Sequence, residues 1–387
     1  AATSRAAPPR LDGVDVLRGL SILAVVLLHL RIRLRFAGLH PFAELPRWLA
    51  HLLFSNGNNG VTVFFAISGF LIATTSLRRF GSLAALPPAA FYRFRFARIA
   101  PLLLIVLALL SALHLLHVPE FVIRPERSSL VRALLAALTF HLNWLEAARG
   151  WLPPAWDILW SLSIEEAFYL CFPLACALLL ARRGGRTAFL ALLLALVAAG
   201  PHARSFRETN EIWQEKSYLG GMDAIALGVL TALLVERLSQ LAPPPRALLL
   251  TLSLAGAALL LWIGVWPRWS LMEFIGREGL DGTILALGTC CILIATALGR
   301  RNGSPLTAPL RWFGRHSYEV YLTHEFLVVP SIALFARIQR GPLSLWVVAT
   351  VLACGALGAL VARSFSEPIN RSLRARAQQR ALAVRAI

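Results

Sequence analysis

Arg18 and His29 are separated by ten residues within one apolar stretch, Leu11 to Leu30, LDGVDVLRGLSILAVVLLHL. On a helix, eleven steps of about 100° return almost to the starting azimuth, so the two side chains share a face about 16 Å apart along the axis. Asp15, one turn before Arg18, lies close to that face. An ionisable group within a membrane-length helix costs a few kcal/mol, roughly 2.5 to 3.5 for arginine, which makes it a candidate functional group by default. The structural alternative is an Asp15–Arg18 pair at the helix start, with His29 marking the far end.

Three further segments carry groups suited to chemistry. FYRFRFARIAP brings Arg93, Arg95 and Arg98 together before Pro101. If this segment is helical, Arg95 and Arg98 project together as an anion-binding pair; the competing account is plain positive flanking of a span. WSLSIEEAFYL, residues 160–170, places Glu165 and Glu166 inside an apolar run. Helical neighbours diverge by about 100°, so at most one faces a given pocket. Glu165 shares its face with Ser161 and Tyr169 and is the expected inward group, whereas Glu166 falls with Leu162 and Leu170. GRHSYEVYLTHEFLV, residues 314–328, sets Tyr321 one turn from His324, with Glu325 beside it. His324 is a second candidate base, although span histidines also serve as interhelical hydrogen-bond partners. FFAISGFLI holds Ser68 and Gly69 without a nucleophile elbow, so close helix packing is the better account. Asp223 and Glu367 are weaker polar markers.

Chemistry of this kind needs rigid elements, and the composition says which. The 387 residues are 57% hydrophobic and only 15% charged, with mean hydropathy +0.66. Such values belong to polytopic helical membrane proteins, so the expected fold is all-α with about ten transmembrane helices. Apolar stretches occur near residues 14–34, 61–77, 99–117, 156–181, 187–201, 218–235, 247–266, 281–298, 317–336 and 344–362. Residues 130–146, holding His141 and Asn143, are apolar but short and read as half-entering or interfacial.

The net charge of +18 is almost all arginine, spaced singly between apolar runs; a contiguous phosphate-tracking face is missing, so nucleic acid is not expected as a partner. With the N-terminus inside, Arg5 and Arg10, Arg78 to Arg98, Arg182 to Arg186, Arg237 and Arg246, Arg300 to Arg315, and six arginines from Arg363 to Arg385 fall on the cytoplasmic side. Glu44, Glu120, Glu126, Glu208, Glu211, Glu215, Glu273 and Glu278 gather on the other. Both termini are then cytoplasmic. Residues 1–10 do not read as a signal peptide, so the first run is expected to be a retained span. No linker separates a second domain: 1–370 read as one transmembrane domain and 371–387 as a basic cytoplasmic tail. Cys171, Cys176, Cys290, Cys291 and Cys354 have neither metal-ligand nor redox spacing and are expected as small buried hydrophobes; no metal is expected.

The first helix with its Arg and His, FFAISGFLI, the Arg-x-x-Arg at Arg95 and Arg98, WSLSIEEAFYLCFPL, SYEVYLTH and the closing SEPIN together resemble the acyltransferase 3 family of integral membrane acyltransferases, in order from about residue 11 to 370. The resemblance implies transfer of an acyl group, commonly acetyl, from cytoplasmic acyl-CoA to a hydroxyl of a carbohydrate, lipid-linked glycan or glycosylated metabolite. It also implies a multi-pass protein of a bacterial-type cytoplasmic (inner) membrane. By motif match His29 takes the family's essential histidine position, Arg18 its paired arginine, Arg95 and Arg98 its arginine motif, and Glu165 the carboxylate of the W-S-L segment. Arg93 is grouped with the donor-binding arginines by position, and Tyr321, His324 and Ser161 are the candidates for substrate contact. His29 would act as general base with Glu165 or Asp15 holding its tautomer, while Arg18, Arg95 and Arg98 would bind the phosphates of coenzyme A. Some family members carry a hydrolase-like domain outside the membrane; two-step transfer through one would here need a separate partner. The alternatives are an acyl-enzyme on His29, a proton-coupled transporter using His29 and Glu165, and a scaffolding membrane protein.

Overall fold

In lipid a backbone must satisfy its own hydrogen bonds, and apolar runs of this length can do so only as helices here. The computed structural model describes residues 11–39, 45–206, 210–265, 270–299 and 303–375, and no strand occurs among them. The chain begins with α1 (Asp12–Phe36), α2 (Arg47–Phe54), α3 (Gly57–Phe80) and α4 (Pro88–Leu115). It continues through α5 (Leu130–Leu138), α6 (Leu142–Arg149), α7 (Pro154–Asp157), α8 (Trp160–Leu180) and α9 (Gly185–Ser205). Next come α10 (Glu211–Lys216), α11 (Tyr218–Leu238), α12 (Arg246–Val265), α13 (Ser270–Arg277) and α14 (Leu280–Gly299). The last are α15 (Ala308–Arg315), α16 (Ser317–Thr323), α17 (Glu325–Ile338) and α18 (Leu343–Val361), the last passing through a π-turn at Ala362–Ser366 and on to Ala375.

Nine described helices are long and apolar enough to cross a membrane, and α16 with α17, bent by 50°, make a tenth crossing if taken as one. Counted as ten, the crossings would return the chain to its starting face, as the expected placement of both termini on one side requires. The run near 317–336 is thus not the single straight span expected. Residues 130–146 form the two short helices α5 and α6, neither of crossing length. The span expected at 99–117 starts earlier, at Pro88, so Arg93, Arg95 and Arg98 are inside α4 and do share a helix. Arg5, Arg10, Glu44, Glu208, Arg300, Arg301 and most of the tail, residues 376–387, lie outside the described residues.

Lipid is as apolar as leucine, so helices associate here by close packing and buried polar contacts. Gly69 and Gly228 let α3 and α11 touch: a Cβ on Gly69 would collide with the Ile225 carbonyl, and one on Gly228 with that of Ala66. That is the packing role the sequence suggested for the Ser68–Gly69 step. Gly19 and Gly314 do the same for α1 and α15, against the carbonyls of Leu310 and Asp15. Arg204 ties three helices together, donating to both carboxylate oxygens of Asp223 at 3.1 and 2.8 Å and to the Thr283 hydroxyl at 2.8 Å. Asp223 is therefore a bracing group. Gly228→Leu is expected to abolish accumulation of the folded protein in membranes, because both walls of the contact are backbone; membrane immunoblotting with detergent gel filtration checks it.

Candidate active site

His29 stands in the C-terminal half of α1, seven residues from its end, and meets the break between α16 and α17. The break has a local cause. His324 Nδ1 bonds to the carbonyls of Tyr321 at 2.8 Å and Val320 at 3.2 Å, a side chain inserted into the helix ladder where the axis turns. Carbonyls only accept, so Nδ1 carries the hydrogen and Nε2 keeps its lone pair. That Nε2 is buried without a partner. The next residue, Glu325, is fully buried and its Oε1 hydrogen-bonds His29 Nδ1, while Oε2 has no partner. The two imidazoles meet edge to face, with centroids 4.9 Å apart at 69°. His29 itself keeps 16% of its side chain exposed.

The carboxylate that orients His29 is therefore Glu325. The expectation that Glu165 or Asp15 would do so does not hold for this geometry: both sit at the Arg18 end of the fold. His29, His324 and Glu325 also place their ligand atoms within 4.8 Å of one another, a set that could hold a metal ion. Sequence spacing hides it, because His29 lies 296 residues from Glu325. The spread is wider than the roughly 3.4 Å edges of a tetrahedron with 2.1 Å bonds, and one carboxylate oxygen is already engaged.

Below this cluster a cavity of about 670 Å³ opens between α1, α3, α4, α8 and α16. Arg18, Arg95, Arg98 and Asp15 line it, as do Glu165, Ser161 and Tyr321. Arg18 Nε donates to Ser317 Oγ at 3.1 Å. Arg95 lies with its guanidinium 3.6 Å over the Tyr169 ring and donates from Nη2 to Glu166 at 3.3 Å. Arg98 faces the Tyr318 ring at 5.3 Å. Glu165 is the inward carboxylate of its pair, within reach of Ser68, Arg95 and Arg18. Glu166, placed on an apolar face by periodicity, is buried all the same and holds Arg95. Arg93 is not brought to the cavity: its Nε folds back to the Ala89 carbonyl at 3.1 Å.

Tyr321 lines the cavity on the side of His324. Its hydroxyl donates to the Ile158 carbonyl at 2.9 Å and hydrogen-bonds the Ser161 hydroxyl at 2.7 Å. Its ring centroid is 6.1 Å from that of His324. Tyr321 thus touches both the cavity and the His29–His324–Glu325 cluster, and neither histidine is part of the cavity lining. Chemically the arrangement offers a carboxylate-held imidazole with a free Nε2, next to a separate chamber whose wall is rich in guanidinium.

The acyltransferase domain of the acyltransferase 3 family matches residues 11–362. The O-acetyltransferase OatA of Staphylococcus aureus (strain NCTC 8325 / PS 47) is 28% identical over 181 residues, 45% of this chain and 26% of that protein. The putative O-acetyltransferase SACOL0978 of Staphylococcus aureus (strain COL) is 27% identical over 178 residues, 44% of this chain and 25% of its own. The chain spans about a quarter of the length of these curated relatives. No solved structure matches it. With the family's domain covering 11–362, the chain belongs to the acyltransferase 3 family of membrane proteins.

Proposed function

We propose that this chain is an integral membrane O-acyltransferase that moves an acyl group, acetyl foremost, from cytoplasmic acyl-CoA to a hydroxyl of a carbohydrate or lipid-linked glycan. The observation that carries this reading is the Glu325–His29 pair set beyond an arginine-lined cavity. His29 Nε2 takes the proton of the acceptor hydroxyl as that oxygen attacks the thioester carbonyl, and Glu325 stabilises the imidazolium that forms. Collapse of the tetrahedral adduct breaks the carbon–sulfur bond, and the imidazolium returns its proton to the leaving thiolate. Arg18, Arg95 and Arg98 hold the phosphates in the cavity, where guanidinium forks match phosphate oxygens. The names of the relatives support acetyl and an oxygen acceptor; the bacterial inner membrane is the setting this reading implies.

Purified protein incubated with radiolabelled acetyl-CoA and glycan acceptors tests it. Label on the acceptor, lost in His29→Ala, is the expected result; solute uptake into proteoliposomes without label transfer would instead support the proton-coupled transporter.

Transfer across Tyr321 requires that ring to leave its place between Ser161 and Ile158. Tyr321→Trp fills the passage with a larger ring and leaves the arginines untouched. Its kcat is expected to fall at least about tenfold, roughly 1.4 kcal/mol of barrier, with KM for acyl-CoA little changed in initial-rate measurements. Since Glu325 Oε1 is already taken by His29, turnover is also expected to survive dialysis against a chelator; loss of activity restored by zinc would make the trio a metal site.

A further inference from the structure

Beyond Arg95 and Arg98, the mouth of the cavity holds cations that the transfer mechanism does not use. Arg79, at the end of α3, lies with its Cζ 3.6 Å over the ring of Phe94 on α4. Arg374, on the helix that continues from α18, approaches the same ring at 5.7 Å. All three line the cavity. Arg374 also stands in the fields of Arg98, Arg79 and Arg95. Like charges gathered at one rim repel one another unless an anion joins them. Nearby carboxylates are committed elsewhere: Glu166 pairs with Arg95 at 3.3 Å, and Glu367 with Arg371 at 2.6 Å. Among the described residues no ion pair neutralises Arg79, Arg98 or Arg374.

The order of charges along the cavity suits one kind of anion. Deep in the wall, Arg18 lies in the fields of Arg98 and of Asp15, Glu319 and Glu165, so carboxylates there offset part of the positive charge. At the mouth the one lining carboxylate, Glu367, is held by Arg371, and Arg79, Arg98 and Arg374 face the cavity with it. A donor whose thioester arm enters first leaves its nucleotide at the mouth, with the diphosphate nearer Arg98 and the ribose phosphate outermost. A monophosphate ester carries nearly two charges near neutral pH and takes two guanidinium forks well. Phe94 holds those forks: cation–π contact fixes both side chains on one ring, so little ordering remains when the anion arrives.

We propose that Arg79 and Arg374, held on Phe94, form the site for the 3′-phosphate of the acyl-CoA donor. The proposal rests on the acyltransferase reading and specifies the donor's chemistry: a nucleotide phosphorylated on its ribose. The experiment compares acetyl-CoA with acetyl-dephospho-CoA, which lacks only that phosphate, in the full-length protein in detergent. Wild type is expected to show a KM at least about tenfold lower for acetyl-CoA, since the charge-assisted contacts to that phosphate are absent with the dephospho donor. In Arg79→Gln/Arg374→Gln that ratio falls toward one, because KM for acetyl-CoA rises while kcat and the KM for the dephospho donor hold. Arg182→Gln/Arg183→Gln removes the same two charges outside the cavity and keeps the wild-type ratio. A ratio unchanged in the Arg79→Gln/Arg374→Gln variant, a wild type that treats both donors alike, or an Arg182→Gln/Arg183→Gln variant that lowers the ratio equally overturns the site. Transfer from neither donor, with neither competing for the other's binding, overturns the acyltransferase reading and this site with it.

Discussion

Glu325→Gln should lower kcat for acyl transfer by about 10²-fold or more, approaching the 10²–10⁴-fold loss expected for removing a general base through His29→Ala. Glu325 is fully buried and does not line the donor cavity, so KM for acyl-CoA should stay within about twofold. Two things are lost with the charge. A glutamine amide presents either its oxygen or its NH₂ to His29 Nδ1, and the second orientation places the hydrogen on Nε2, the wrong tautomer for taking a proton. Either way the imidazolium formed during attack has no anion beside it, in surroundings where its charge is costly. His29 and Glu325 act as a unit, so the double variant should be no slower than His29→Ala alone. Single-turnover rates with labelled donor measure all three. An additive double variant would mean that the carboxylate works elsewhere, and a Glu325→Gln enzyme with normal kcat would remove the pair from the mechanism.

Much of this frame is legible in the residues, because lipid imposes a simple rule on them. Each span must be a long apolar helix, and a charged group within it must face protein. The shared azimuth of Arg18 and His29, the inward choice of Glu165 over Glu166, and the helical register of Arg95 and Arg98 all follow from periodicity alone. What periodicity cannot give is which distant helix arrives opposite a given face. Glu325 was visible only as the neighbour of His324; that it reaches His29 depends on a bend made by His324's own bonds to Tyr321 and Val320. Glu166 misled for the same reason: its helical face is otherwise apolar, yet Arg95 of α4 comes to meet it. Arg93 erred the other way, grouped by proximity in sequence and turned aside in space. Tyr321 was legible as a candidate for substrate contact beside His324, but its hydrogen bonds to Ser161 and Ile158 join chain segments that the sequence does not pair.

The sharpest case of hidden structure gives the largest expected loss of stability, in Lys216→Met. Lys216 is buried, and its ammonium donates to Glu146 at 3.0 Å and to Asp157 while lying 4.0 Å over the Trp151 ring. It thereby joins α10 to α6 and α7, the short helices beside the outer half of the bundle, across 70 and 59 residues of chain. Methionine conserves the length and volume of the side chain but leaves Glu146 and Asp157 facing each other without a cation. Breaking a buried pair in this way costs about 3–5 kcal/mol, against about 1 for an exposed one. Glu146→Gln should cost far less, because the Glu146 carboxyl is already pushed well above the ordinary carboxylate range by burial and by Asp157, with Lys216 opposing. The sign follows from that shift. Between its ordinary value and the raised one, Glu146 holds a proton in the folded protein that the unfolded chain has released, so its contribution is fully present below the ordinary value and is lost as pH rises through the raised one. Thermal unfolding in detergent should therefore show Lys216→Met strongly destabilised at neutral pH, and Glu146→Gln close to wild type with a flatter decline toward alkaline pH. A Lys216→Met protein as stable as wild type would mean that the two carboxyls share a proton well enough to need no cation.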